Sequence, residues 1–150
     1  MARRSFSVAE VEHLIPTLER IFTHVLQLRA ALRQHEQHLD RLGIKLSREV
    51  LEETTPPARE KVEIRNAKAM FRGYYQALAD ELAKVAELGG EVKDLEIGLV
   101  DFPGKRGEEE ILLCWKLGEK GIGYWHTPES GFAGRRPIDD LVPREPQRLD

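Results

Sequence analysis

The C-terminal third of the sequence places ionisable side chains among aromatic ones. The aromatic residues of this region include Trp115, Tyr124, Trp125 and Phe132. Ligand pockets are mostly apolar with a few convergent polar groups, so a binding or catalytic site is expected here. The candidate ligand-binding residues are Asp101, Trp115, Glu119, Tyr124, His126, Arg135 and Arg136.

Two of these residues have the chemistry of metal ligands. Asp101 and His126 could hold a divalent metal together or act as a general-base pair, because carboxylate and imidazole groups do both. Glu119 could add a third ligand. Arg135 could hold a carboxylate or phosphate through two parallel hydrogen bonds from its planar guanidinium group. Asp101 and His126 are therefore the candidate metal ligands, and a divalent metal is the candidate cofactor.

Each of these residues also has a purely structural interpretation. His126 fits a buried, hydrogen-bonded histidine, and Cys114 fits a small core residue. Glu119 fits a solvated turn residue, and Asp101 fits a turn cap before Phe-Pro. The arginine pair could brace a loop against carboxylates. The sequence leaves these alternatives open.

The segment that positions these residues changes after residue 90 from helical periodicity to alternation. Strands are predicted at 99–102, 111–117 and 122–127, in a three-stranded antiparallel meander. A tight hairpin between the last two pairs odd positions of one strand with even positions of the other. This register puts His126 on the apolar face and Cys114 on the opposite face, which argues against a Cys114–His126 nucleophilic pair.

Before this β-module, residues 7–90 predict a long antiparallel helical hairpin. Ser7 and Glu10 have the spacing of a capping box, which satisfies two backbone donors at a helix start. Apolar residues then repeat over more than four heptads, and Gly43 is predicted to end the helix. Pro16 lies inside the repeat and predicts a kink rather than a stop.

A second heptad series predicts the other helix of the hairpin. Thr54-Thr55-Pro56-Pro57 is predicted to start this helix, and Gly89-Gly90 to end it. Residues 47–53 fit a short helix or a loop. Apolar side chains that include Leu26 and Tyr75 flank the two seams. A homodimer that pairs two hairpins into a four-helix bundle would cover them.

The fold class that follows is α+β, with one domain over residues 1–138. It consists of the helical hairpin, 7–90, and the β-module, 91–138. Residues 139–150 are charged and contain proline, so they are predicted to form a flexible tail.

The first helix contains His35-Glu36-Gln37-His38, in which the histidines are three residues apart. A zinc-protease helix needs histidines four apart. These residues are interpreted as solvated side chains on the helix surface, with His35 setting the register of a helical seam. A protonated His35 pair would repel across a dimer near about pH 6. A metal shared with His24 is the alternative.

Composition excludes several classes of protein. The chain has 150 residues, 41 % hydrophobic and 33 % charged, with a formal net charge of −3. This charge argues against a nucleic-acid coat or an anionic-membrane binder, so neither partner is expected. One cysteine cannot form an internal disulfide. The sequence shows no signal peptide, transmembrane run, P-loop, dinucleotide fingerprint or serine elbow, and a cytoplasmic location is expected.

The strings GLVDFP (98–103), LLCWKLGE (112–119), GYWH (123–126) and GFAGRRPI (131–138) resemble an uncharacterised prokaryotic family, domain of unknown function 2203. The opening FSVAEVEHLIPTL (6–18) is similar to the start of that family. Residues 43–90 carry no matching motif. The resemblance implies an intracellular prokaryotic protein, and it implies no activity and no catalytic residue.

Two functional hypotheses follow from the sequence. The first is a homodimeric module that binds a ligand or partner through its β-module, since no complete catalytic framework is visible. The second is a metal-dependent hydrolase in which Asp101 and His126 serve as ligands or base and Arg135 clamps an anion.

Overall fold

The computed structural model describes residues 4–141, which form three α-helices and one five-stranded antiparallel sheet. These residues divide into two compact units, one of residues 4–22 with 84–141 and the other of residues 23–83. The α+β class is confirmed. The elements in chain order are α1 (Val8–Arg41), α2 (Arg48–Glu52), α3 (Val62–Leu88), β1 (Glu91–Asp94), β2 (Leu99–Arg106), β3 (Glu109–Lys116), β4 (Tyr124–His126) and β5 (Arg136–Pro137).

Helix α1 begins and ends as its sequence predicts. The Glu10 N–H donates to Ser7 Oγ at 3.1 Å, and the Ser7 N–H donates to Glu10 Oε1 at 3.0 Å, which completes the capping box. The helix continues through Pro16. Beyond its last turn, Gly43 has a φ of 81°, a left-handed conformation that glycine adopts without strain.

The predicted start of the second long helix is wrong. Helix α3 begins at Val62, after an irregular segment, and not at the two prolines. Lys68 Nζ donates to Glu60 Oε2 at 2.6 Å and to Glu53 Oε2 at 3.1 Å. In a continuous helix, Glu60 and Lys68 would lie about 12 Å apart along the axis. The irregular segment therefore lets both carboxylates reach Lys68.

The unit of residues 23–83 has its own apolar core. Residues 47–53, left open between helix and loop, form the short helix α2, where the Val50 N–H donates to Ser47 Oγ at 3.3 Å. The rings of His35 on α1 and Tyr74 on α3 stack with their centroids 4.9 Å apart. The buried core residues of this cluster are Leu39, Ala67 and Phe71.

The sheet has two more strands than the three predicted. Its order is β1-β2-β3-β4-β5, so each strand pairs with its neighbour along the chain. Strand β1 has the sequence EVKD, with one apolar residue, and β5 has two residues, one of them proline. Neither segment carries the apolar alternation by which a strand is recognised. Both lie at the edges of the sheet.

Strand β2 extends past its predicted end at Phe102 and includes Pro103. The Pro103 carbonyl accepts a hydrogen bond from the Phe6 N–H at 2.7 Å. The N and C=O of one residue in an antiparallel strand point to the same side, so the missing N–H of proline faces Phe6 rather than β3. For this reason Pro103 interrupts no bond between β2 and β3.

One face of the sheet is apolar and packs on the beginning of α1. The ring centroids of Phe6 and Phe102 are 5.4 Å apart, and those of Phe22 and Trp115 are 5.9 Å apart. The buried residues that share this face are Val100, Phe102, Ile111, Leu113, Trp115 and Trp125.

The described chain ends shortly after the sheet. Residues 138–140 form a turn of 3-10 helix, and most of the predicted tail, 142–150, lies outside the described residues. Within residues 4–141, no helix has the length and apolar character needed to span a membrane.

Candidate metal centre

The register of the sheet brings Asp101, Cys114 and His126 to one face. Asp101 pairs with Cys114 between β2 and β3, and Leu112 pairs with His126 between β3 and β4. Residues opposite each other, and those two apart along a strand, share a face. Asp101, Cys114 and His126 are 2 %, 2 % and 3 % exposed, and they are called the triad below.

The predicted placement of Cys114 and His126 on opposite faces is wrong. A tight hairpin would pair odd positions with even ones, whereas the structure pairs Cys114 with Tyr124, and Leu112 with His126. The reason is the connection between β3 and β4, which runs from 117 to 123 rather than through two residues. A change of one residue in register moves every side chain to the other face.

Hydrogen bonds join the triad around the Asp101 carboxylate. The Cys114 thiol donates to Asp101 Oδ1 at 3.1 Å. His126 Nε2 lies 3.0 Å from Asp101 Oδ2, and His126 Nδ1 lies 2.7 Å from the Thr127 carbonyl oxygen. One ligand atom from each triad residue lies within 4.8 Å of the other two.

These distances fix where the protons of the pair must be. The Thr127 carbonyl can only accept, so His126 Nδ1 carries a hydrogen and donates. A hydrogen must also lie between His126 Nε2 and Asp101 Oδ2, because two acceptors would not approach to 3.0 Å. The pair is therefore an imidazolium with a carboxylate, or a neutral imidazole with a carboxylic acid. Either form holds a proton that a metal can replace.

Cys114 is a thiol rather than a thiolate in this setting. Burial raises the pKa of the Cys114 thiol far above its ordinary value, and the adjacent Asp101 carboxylate raises it further. A neutral thiol is a weak nucleophile, so Cys114 and His126 do not form an activated pair in this state. A metal ion reverses this balance, since a coordinating thiol is deprotonated.

A pocket of about 350 Å³ adjoins the triad on the side of β1 and β2. Asp101, Pro103 and Leu112 contribute to its wall from the sheet, and Glu91 and Arg4 also line it. One triad residue thus borders a space large enough for a small molecule.

The family of the chain follows from a match over most of its length. A family model described as an uncharacterized conserved protein, DUF2203, matches residues 4–138. The chain belongs to the DUF2203 family. The resemblance noted in the sequence motifs is confirmed. No curated protein and no solved structure matches the chain.

In this DUF2203 protein, two candidate site residues, Trp115 and Glu119, form hydrogen bonds at the end of β3. Trp115 is fully buried on the apolar face, where its indole N–H donates to the Glu119 carbonyl at 3.0 Å. The Glu119 carboxylate accepts from the Lys116 N–H at 2.7 Å. Glu119 therefore holds the end of β3 through both its backbone and its side chain.

The arginine pair divides between the two faces of the sheet. Arg135 lies over the rings of Tyr124 and Phe132, with its Cζ 4.4 Å and 4.2 Å from their centroids. Tyr124 pairs with Cys114, so this contact lies on the triad face. Arg136 instead lies 5.4 Å from the Trp125 ring on the apolar face.

Sequence reasoning missed Cys114 as a partner of Asp101 and His126. It also missed the Thr127 carbonyl, for which side-chain chemistry gives no signal. Of the helix histidines, His24 pairs with Glu81 at 3.0 Å and His35 stacks on Tyr74. Within residues 4–141, the triad is the one group of three such side chains close enough to hold a metal.

Proposed function

We propose that this DUF2203 protein binds one divalent transition metal, with zinc the expected ion, through the triad. The observation that carries this proposal is a buried carboxylate, thiol and imidazole whose ligand atoms lie within 4.8 Å of one another. A mixed set of oxygen, sulfur and nitrogen ligands suits zinc. In tetrahedral zinc sites such atoms are about 3.3–3.6 Å apart. The two hydrogen-bonded distances, 3.1 Å and 3.0 Å, need to open slightly to reach this range, and any pair near the 4.8 Å limit needs to close.

The surroundings of His126 also support a metal ligand. Histidines that bind metals almost always donate their other ring N–H to a carboxylate or backbone carbonyl, which fixes the tautomer and orients the ring. His126 Nδ1 makes such a bond to the Thr127 carbonyl at 2.7 Å, and Nε2 points at Asp101. Metal binding would release the thiol proton of Cys114 and the proton shared by the pair.

Metal content tests the proposal directly. The protein is purified without chelator, incubated with zinc and desalted, and its metal is measured by inductively coupled plasma mass spectrometry. One equivalent is expected in the wild type, with loss in Asp101→Ala, Cys114→Ala and His126→Ala. The matched control is His24→Ala, which removes a histidine outside the triad and should keep the metal. Zinc-free wild type, or zinc retained in the triad variants, would refute it.

A metal-dependent hydrolase is the second candidate. Three protein ligands leave a fourth position for water, as in catalytic zinc sites, and the pocket of about 350 Å³ beside Asp101 offers room for a substrate. Cobalt substitution tests this candidate. Azide added to the cobalt-loaded protein should change its visible absorption if the fourth position is open. An unchanged spectrum would leave a closed, structural site.

The quaternary structure belongs to the same proposal. Leu26, Met70 and Tyr75 are large apolar side chains exposed on α1 and α3, which supports a homodimer that covers them. Light scattering after gel filtration should give twice the chain mass, and Tyr75→Glu should give a monomer.

The buried, reduced Cys114 supports a cytoplasmic location, where thiols stay reduced.

A further inference from the structure

Arg135 has an unusual set of partners on the triad face. Its guanidinium lies over two aromatic rings, those of Tyr124 and Phe132. Within residues 4–141, no carboxylate pairs with Arg135, and no hydrogen bond from its side chain to the protein is found. Stacking engages the π surface of a guanidinium and leaves its in-plane N–H groups to other partners. These N–H groups are therefore held in place and open to a ligand.

The loop that carries Arg135 is fixed by its own hydrogen bonds. The Thr127 hydroxyl donates to Ser130 Oγ at 3.0 Å, and the Ser130 N–H donates to Thr127 Oγ1 at 3.2 Å. Beyond the arginines, the Ile138 N–H donates to the Gly123 carbonyl at 2.9 Å. The first two bonds close a turn directly after β4, and the third ties the chain beyond Arg135 back to the start of β4, so the guanidinium is pre-organised over Tyr124.

Arg135 also lies on the same face of the sheet as the triad. Tyr124 is directly opposite Cys114 in the register of β3 and β4, and such pairs have Cβ atoms about 5 Å apart. A small anion on the guanidinium would therefore lie on the same face of the sheet as the metal ligands.

We infer that Arg135 is the anion-binding residue of this site, and that the small molecule bound at the metal carries an oxyanion group, either phosphate or carboxylate. The planar fork of arginine matches both groups through two parallel hydrogen bonds. Contact between this molecule and the metal rests on the proposed function, whereas the oxyanion contact with Arg135 can be measured without metal.

A phosphate titration tests the inference. Inorganic phosphate is added to the full-length protein, with and without one equivalent of zinc, while NMR follows the backbone amide signals of β4. Phosphate should bind at least tenfold more tightly with zinc than without. Arg135→Gln should weaken phosphate binding at least tenfold in both forms. Arg135→Lys, which keeps the charge and lacks the fork, should weaken it several-fold.

The matched control is Arg136→Gln, because Arg136 lies on the other face of the sheet, near Trp125. This variant should bind phosphate within twofold of the wild type. Equal binding by Arg135→Gln and Arg136→Gln would overturn the inference, as would a wild type whose β4 signals do not respond to phosphate. Melting temperatures of both variants should match the wild type, since neither arginine is buried.

Two further measurements distinguish a failure of the metal-binding proposal from a failure of the inference about Arg135. The zinc content of Arg135→Gln should stay at one equivalent, so a loss of phosphate binding cannot be attributed to a lost metal. If the wild type binds no zinc, the proposed function fails, and the zinc-free titration alone decides the role of Arg135. An affinity that zinc leaves unchanged would overturn the contact between oxyanion molecule and metal. Competition between acetate and phosphate then assigns the group as carboxylate or phosphate.

Discussion

Two buried clusters of ionisable side chains lie in different units of this protein, and they balance their charges in different ways. In the unit of residues 23–83, Lys68 lies between Glu53 and Glu60, with Nζ–Oε2 distances of 3.1 Å and 2.6 Å. In the other unit, Asp101 lies between Cys114 and His126. The first cluster contains a cation that the chain itself supplies. The triad contains protons that a metal can displace.

The two clusters differ in the source of the positive charge beside their carboxylates. Hydrogen bonds to the two glutamates raise the pKa of Lys68, so its ammonium stays charged and occupies the position between the carboxylates. Glu53 Oε1 and Glu60 Oε1 are buried and take no hydrogen bond within the described residues. This arrangement joins the segment before α3 to α3, and a second cation of the chain, Arg72, lies with its Nη1 4.0 Å from Glu53 Oε1. The triad contains no lysine or arginine, so the cation that replaces its protons has to be a metal ion.

Removal of the built-in cation should produce the largest effect. Lys68→Met removes the cation beside Glu60 and leaves Glu53 with Arg72, 4.0 Å away. Loss of one partner in a buried ion pair costs about 3 kcal/mol. Urea denaturation should show this loss, whereas the exposed Lys61→Met should change stability by under about 0.5 kcal/mol. A near-neutral Lys68→Met would mean that the two glutamates do not depend on Lys68, and the contrast with the triad would fail.

Zinc should stabilise the protein through the triad alone. Free zinc at one hundred times its Kd should raise the free energy of unfolding by about 2.7 kcal/mol. His126→Ala should gain nothing, and Lys68→Met should gain as much as the wild type because its triad is intact. Denaturation in zinc-buffered solution measures each difference. Equal zinc stabilisation of His126→Ala and wild type would place the metal elsewhere.

Local signals in the sequence were enough to predict both ends of α1. The capping box of Ser7 and Glu10 and the left-handed Gly43 depend on residues a few positions apart, so distant parts of the chain do not alter them. The start of α3 could not be predicted in this way. Its position depends on the contact of Lys68 with the carboxylates of Glu53 and Glu60, which precede it in the chain. The spacing of prolines and threonines does not encode this contact.

The candidate site was predicted in composition but not in geometry. Asp101 and His126 were identified from their chemistry, and the structure places them 3.0 Å apart. His126 was assigned to the apolar face, away from Cys114, because the register of β3 and β4 depends on the connection 117–123. Glycines in that connection fit a tight hairpin as well as the longer loop that forms. Only the register decides between two faces of a sheet.

The pH dependence of the Lys68 cluster should give the smallest effect, a part of the loss caused by Lys68→Met. Because the folded-state pKa of Lys68 lies above its ordinary value of 10.5, the stabilisation is fully present below that pH and is lost as the pH rises through the raised folded-state value. The difference in unfolding free energy between wild type and Lys68→Met should therefore be constant from neutral pH to about pH 10 and shrink above it.

Urea denaturation at a series of alkaline pH values measures this difference, and Lys61→Met corrects for the other groups that titrate there. A difference that already shrinks well below pH 10 would show that the pKa of Lys68 is not raised, so the glutamates would not hold its ammonium. Zinc stabilisation should have the opposite dependence and grow as the pH rises from acid to neutral, because metal binding releases protons from Cys114 and the Asp101–His126 pair. The stabilisation by Lys68 would then fall with rising pH, whereas the stabilisation by zinc would rise. This contrast would show that Lys68 keeps its proton and that the triad releases protons to a metal.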